Sequence, residues 1–249
     1  MNTYGLAALA FVAAAGQAFA DGNHRHAIHQ DGAVISPADT AKIAAFDILA
    51  AHVHRNGNVV TFHMTTSGVA GEAVPTAAGS LGGAPVWSYV WPTSLDPSVV
   101  GFDQGAGILA MAATNHPDFD DTPLYDENAD GDLANDGAVW HSHWVVLAAT
   151  DGCGAGALAV KDIPDGATPN LPATWPGLPL LIDSPGFTPV FDGPEIAINA
   201  AVAGAAVGAS YDGVTSALRV NESIHAPLLC VTDVFDVASG DLSLPGKVR

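Results

Sequence analysis

His141 and His143 are separated by one residue within the apolar run Val139 to Leu147. In a β-strand, residues two apart point to the same face, so the two imidazoles can converge on one ion. A His-x-His strand pair is a recurrent way to present two nitrogen donors to zinc or copper. A third imidazole must come from elsewhere, and His63 and His116 are the candidates. Just upstream, Asp126-x-Asn128-x-Asp130-Gly131-Asp132 matches the opening of a calcium loop, with glycine where the chain must turn sharply. Gly137 stands where the closing bidentate glutamate should be, and neither flank reads as a helix, so this is not an EF-hand. Asp136, or a carboxylate from elsewhere, would have to complete a calcium shell. Asp118, Asp120 or Asp121 has another possible use, as an acceptor that orients an imidazole from behind. Without any ion, the histidines would be bonded to backbone or carboxylates, and the loop would be only acidic and rich in turns.

The elements that must position these residues read as strands. Val139, His141, His143, Val145 and Leu147 share one face, while Trp140, Ser142, Trp144 and Val146 share the other. Both faces are apolar, which predicts a central strand with covered histidines. A second imidazole group lies on the hairpin Lys42 to Thr66, where Asn56-Gly57 separates two alternating segments. A two-residue Asn56-Gly57 turn sets His54 opposite Val59, His52 opposite Thr61 and Ala50 opposite His63. His52, His54 and His63 then share one face, with Leu49, Ala51, Val53, Val60, Phe62 and Met64 on the core face. This histidine face is a further candidate metal patch, or three unconnected surface imidazoles.

Further strands are expected at Val86 to Trp91, Gly107 to Thr114, Ala155 to Ile163, Ile196 to Val202, Val214 to Val220 and Leu228 to Val237. Gly, Pro, Asn and Asp separate them, and Gly68 to Pro85 reads as a loop. Helical spacing is present only from Pro37 to Ala44, with Ser36 as its cap. Many short strands with Gly/Pro turns predict an all-β chain, an antiparallel β-sandwich of Greek-key type over residues 36–249. The aromatic residues of Val86 to Trp91, with Trp140 and Trp144, would pack in its core or line a pocket for an apolar or sugar-like ligand.

The first twenty residues read as a signal peptide: an apolar run from Leu6 to Ala15, then Ala18-Phe19-Ala20 before Asp21, though without a basic start. Residues 21–35 follow as a flexible terminus carrying His24, His26 and His29. No later segment reaches membrane-spanning length, so a periplasmic or secreted protein is expected. In such a compartment Cys153 and Cys230, the only cysteines, should form one disulfide and hold a single domain together.

Acids outnumber bases 26 to 7, a net charge of −19, which disfavours nucleic acid and anionic membranes and attracts cations. Twenty-two of those acids are Asp, the loop acid, which fits turns and ion loops better than charged helices. Neither a G-x-S-x-G elbow nor a phosphate-cradling glycine loop is present. Three functions follow as expectations. The first is an exported protein that binds a transition metal (zinc or copper) through histidines, with calcium stabilising the acidic loop. The second is a zinc-dependent hydrolase or lyase that keeps a coordination position for water. The third is a non-catalytic surface protein stiffened by calcium.

Overall fold

The computed structural model describes residues 32–202, 206–222 and 227–249. The expected signal segment, His24, His26, His29 and His225 lie outside the described residues. Among the described residues fourteen strands follow one another: β1 (Val34–Ile35), β2 (Ile48–Asn56), β3 (Val59–Thr66), β4 (Pro85–Pro92), β5 (Ile108–Asn115), β6 (His141–Thr150), β7 (Ala157–Val160), β8 (Ile182–Asp183), β9 (Val190–Asp192), β10 (Glu195–Ala201), β11 (Ser210–Tyr211), β12 (Val214–Val220), β13 (Leu229–Val237) and β14 (Gly246–Lys247). All pairings between them are antiparallel.

The sandwich expectation requires correction. Strands β5, β4, β12, β13, β7 and β6 pair in that order, and β6 pairs back onto β5, so six strands close into a barrel. A five-stranded sheet, β1-β2-β3-β10-β9, packs on the outside of its wall. Side-chain alternation assigns each residue a face, but it does not say which strand is the neighbour, so ring closure is invisible to it.

Alternation explains why there are two cores. Even-numbered residues of β4 and β5 and odd-numbered residues of β6 point into the barrel, where Val86, Val90, Ala112, Val145 and Leu147 join Val214 and Leu218. The opposite parity, Tyr89, Trp91, Met111, Trp144 and Val146, faces outward and is buried against Val53, Phe62, Met64, Ile196 and Ile198 of the sheet. β6 therefore belongs to both cores, and its first seven residues are all buried, as expected of a central strand. The aromatic residues singled out in sequence fill the seam between sheet and barrel wall: Phe62, for example, meets Trp144 edge-on at 5.5 Å.

Four local expectations also change. The hairpin turn is Gly57-Asn58, with Asn56 opposite Val59, His54 opposite Thr61 and His52 opposite His63. Gly57 has φ +64°, so glycine takes the first turn position, where a left-handed backbone suits it. The shift is two residues, which preserves the faces. A bulge around Leu49 places Ile48 in the core in its stead. Residues Pro37 to Ala44 form turns rather than a helix: the Asp47 carboxylate accepts the Asp39 amide, and Asp39 accepts the Ala41 amide, offering the backbone partners that a helix would otherwise supply. Finally, Val34 and Ile35, expected in the flexible terminus, pair with Ala51 and Ala50.

Cys153 and Cys230 form the expected disulfide. Its position matters for the barrel, because β7 and β13 share a single register pair, Cys230 with Ala159. The crosslink therefore staples the thinnest seam of the ring. No helix among the described residues is long and apolar enough to cross a membrane.

Candidate metal centre

His141 and His143 enter the barrel from the start of β6, and His116 follows directly on the end of β5. Register pairing sets Thr114 opposite His141 and Ala112 opposite His143, so the two strand ends lie side by side. Asp121 completes the group from the acidic loop. The four residues are buried, at 1–6% exposure, and one donor atom of each lies within 4.8 Å of the others.

The orientation of each imidazole is fixed from behind. His116 Nδ1 lies 2.8 Å from the Phe119 carbonyl, and His141 Nδ1 lies 2.7 Å from that of Val139. A carbonyl only accepts, so both Nδ1 atoms carry a proton, and in the neutral rings both Nε2 atoms present a lone pair. His143 Nδ1 lies 3.3 Å from the Asp183 carbonyl and 3.2 Å from Ser184 Oγ. The Ser184 hydroxyl donates to the Asp121 carbonyl at 2.8 Å, so it accepts from His143, whose Nε2 is then bare as well. This is the arrangement of metal-ligating histidines, whose second nitrogen is held by an outer acceptor.

The bare atoms face one another. His116 Nε2 and His141 Nε2 are 2.8 Å apart. Asp121 Oδ1 lies 3.1 Å from His116 Nε2 and 3.3 Å from the Nε2 atoms of His141 and His143. Among the described residues, Asp121 Oδ1 and His143 Nε2 are buried without a hydrogen-bond partner. Thr114 Oγ1 approaches His141 Nε2 at 3.2 Å and has a proton to offer. Four converging electron-rich atoms repel one another unless positive charge lies among them. A proton on His116 relieves one or two of these contacts, whereas a cation at the centre relieves all. A tetrahedron with metal–ligand bonds of about 2.05 Å has edges of about 3.3 Å, the separation found between Asp121 Oδ1 and two of the imidazoles.

Charge follows the same logic. Burial opposes ionisation of Asp121, yet the His143 and His116 imidazoles beside it hold its carboxyl well below the usual range. Burial also works against the His116 cation, but the adjacent Asp121 carboxylate raises its pKa. Burial pushes His141 down.

The acidic loop is the scaffold of this centre. Asp120 accepts the amides of Thr122 at 2.7 Å and Asp136 at 2.6 Å, which pins the chain on one side of Asp121 and directly after it. Asp136, fully buried, accepts the amides of Glu127 and Asn128. Asp118 clamps the Ala78 and Gly79 amides of the preceding loop. Asp126, Asn128, Asp130 and Asp132 accept amides within their own segment, each two to five residues ahead. No three carboxylates of that segment converge among the described residues.

Of the sequence candidates, the fold brings together His141, His143 and His116. His63, the other possible third imidazole, lies on the sheet and pairs with Glu195. His52 and His54 stack with ring centroids 5.2 Å apart on that same sheet, and the hairpin histidines are not part of the converging set. Asp121, expected as an outer acceptor, faces the Nε2 atoms directly, while backbone carbonyls do the orienting. Its one sequence signal is the position of an Asp five residues after a strand-end histidine, within a loop long enough to return.

Comparison of the chain with protein-family models, with curated proteins and with solved structures yields no match.

Proposed function

We propose that this chain is an exported metal-binding protein that holds one transition-metal ion between His116, Asp121, His141 and His143. The observation that carries the reading is the inward convergence of three Nε2 atoms and one carboxylate oxygen, with every outer nitrogen placed against an oxygen acceptor. Three imidazoles and a carboxylate, without thiolate, suit a borderline divalent ion such as zinc. Export is supported by the apolar leader ending Ala18-Phe19-Ala20 and by the disulfide. With four protein donors under nearly complete cover, the ion would be retained, so metal binding is a stronger reading than rapid delivery.

A hydrolase or lyase is the second reading, favoured by one observation: His116, Asp121 and His143 also line a cavity. Turnover would need the ion to accept a fifth ligand from that side.

Metal content of the purified mature chain tests the proposal, measured by mass spectrometry beside the His141→Ala/His143→Ala double variant. One zinc per chain, absent from the variant, is the expected result. A metal-free wild type after growth and refolding with zinc, copper, iron or manganese would overturn it. Zinc retained on exposure to a chelator for hours would favour a holding role, and hydrolysis of a generic ester that depends on the metal would favour the second reading.

A further inference from the structure

The barrel interior is not filled. A cavity of about 130 Å³ runs through it, lined by Val86, Val90, Val145, Leu147, Val214 and Leu218 among other aliphatic side chains. Its origin is the small size of the residues that face inward at one level: Ser216, Ser88 and Thr114 are in register across β12, β4 and β5. The two serines satisfy each other, with Oγ atoms 2.8 Å apart and Ser88 Oγ donating to the Ser216 carbonyl at 3.1 Å. The other polar lining groups, Thr114, His116, Asp121 and His143, belong to the metal centre or touch it. The lumen therefore offers an occupant dispersion contacts and no spare hydrogen-bond partner along its length. Leu81, Val234 and Leu242 line the same cavity and are exposed, so it reaches the surface at apolar points.

We propose that the barrel lumen is a binding site for a small uncharged apolar molecule, a hydrocarbon ring or short chain of about six heavy atoms, seated against the His143 and Asp121 side of the metal centre. Size and chemistry both point to this class. A protein cavity of about 150 Å³ walled by aliphatic and aromatic side chains stays dry and takes benzene, and this one is similar in volume and lining. A charged or strongly polar ligand would lose its hydration without compensation over most of the lumen. The site stands on the barrel's own geometry and does not require an ion in the cluster. An ion, if bound, would have one face towards a dry apolar chamber, the environment in which a reactive intermediate is shielded from water.

Benzene is the probe, with calorimetric titration and thermal melting of the full mature protein as readouts. Saturable binding is expected, with a melting-point rise of about 3 °C at tenfold excess over Kd. Val214→Phe and Val160→Phe, made separately, each add a ring to the lumen lining without replacing a metal donor, so one serves if the other fails to fold. Each should abolish the titration and the melting shift while metal content and circular dichroism match the wild type. No saturable binding to the wild-type protein, or binding unchanged in a folded filled variant, would overturn the inference. Binding that persists after chelator treatment would uphold the lumen site even if the metal reading failed, which keeps the two proposals separable.

Discussion

Gly137 and Phe119 approach so closely that a Cβ on the glycine would overlap the Phe119 carbonyl oxygen, and it would also come within 2.6 Å of the His116 carbonyl. That Phe119 oxygen is the acceptor that holds His116 Nδ1, and the Phe119 ring stacks on the His116 imidazole at 4.1 Å. The residue that spoils a calcium loop at its closing position is thus the residue that lets the acidic loop fold back on the cluster of His116, Asp121, His141 and His143. Gly137→Ala keeps every donor but must displace the carbonyl that orients one of them. We expect zinc affinity to fall about 10–100-fold, the usual cost of losing an outer-shell partner, measured by competition against a chromophoric chelator.

Zinc should stabilise the folded chain, because the four donors converge only there. At a free concentration about 1,000 times Kd the gain is about 4 kcal/mol, read as a shift of the urea midpoint. Asp121→Asn preserves shape and removes the charge, so it should lose most of this gain while leaving the far-ultraviolet spectrum unchanged. An equal zinc-induced shift in the variant would count against Asp121 as a ligand.

The Cys153–Cys230 crosslink encloses a sequence separation of 77 residues and sits on the one register pair joining β7 to β13. Its removal should cost about 2–4 kcal/mol. It should also speed hydrogen exchange of the amides in 157–160 and 229–231 more than those of β4 and β5. Uniform acceleration would mean that the seam depends on other contacts.

His52 gives a pH dependence independent of the metal centre. Burial, followed by the nearby His54 and His63 charges, pushes its pKa down to about 4 from 6.5. Between these values the unfolded imidazole binds a proton that the folded one does not. Stability is therefore complete above about pH 6.5 and is lost as pH falls towards 4. His52→Gln in chelator-treated protein should reduce the loss between pH 7 and pH 5, compared by urea midpoints. Identical losses would place the acid sensitivity elsewhere.

The acidic loop makes a contrasting case. Asp126, Asp130 and Asp132 already accept loop amides, and Asp136 is buried on two of them. Millimolar calcium is expected to leave the melting temperature unchanged. Asp136→Ala should destabilise by about 1–3 kcal/mol through the orphaned amides and lower zinc occupancy with it. A saturable calcium-induced rise in melting temperature, lost in Asp126→Asn, would establish the calcium reading instead.

Side-chain alternation was enough to put His141 and His143 on one face of a doubly buried strand, and to put His52, His54 and His63 together on the other face of their hairpin. It also located most strand positions, and a count of just two cysteines pointed to the disulfide. These are properties of period two and of local turn chemistry, which depend on near neighbours in the chain. The Gly57-Asn58 turn marks the limit even there, since an Asn-Gly pair signals a hairpin without deciding which residue opens the turn. Closure of the barrel, the choice of His116 over His63, and the entry of Asp121 as a donor were decided only by tertiary structure. Each depends on which distant segments pair: β6 against β5 sets His141 beside the end that carries His116, and the returning loop, held by Asp120 and Asp136, delivers Asp121. Residue type alone determined that this chain could offer a metal imidazoles and carboxylates; long-range strand register determined which four of them meet.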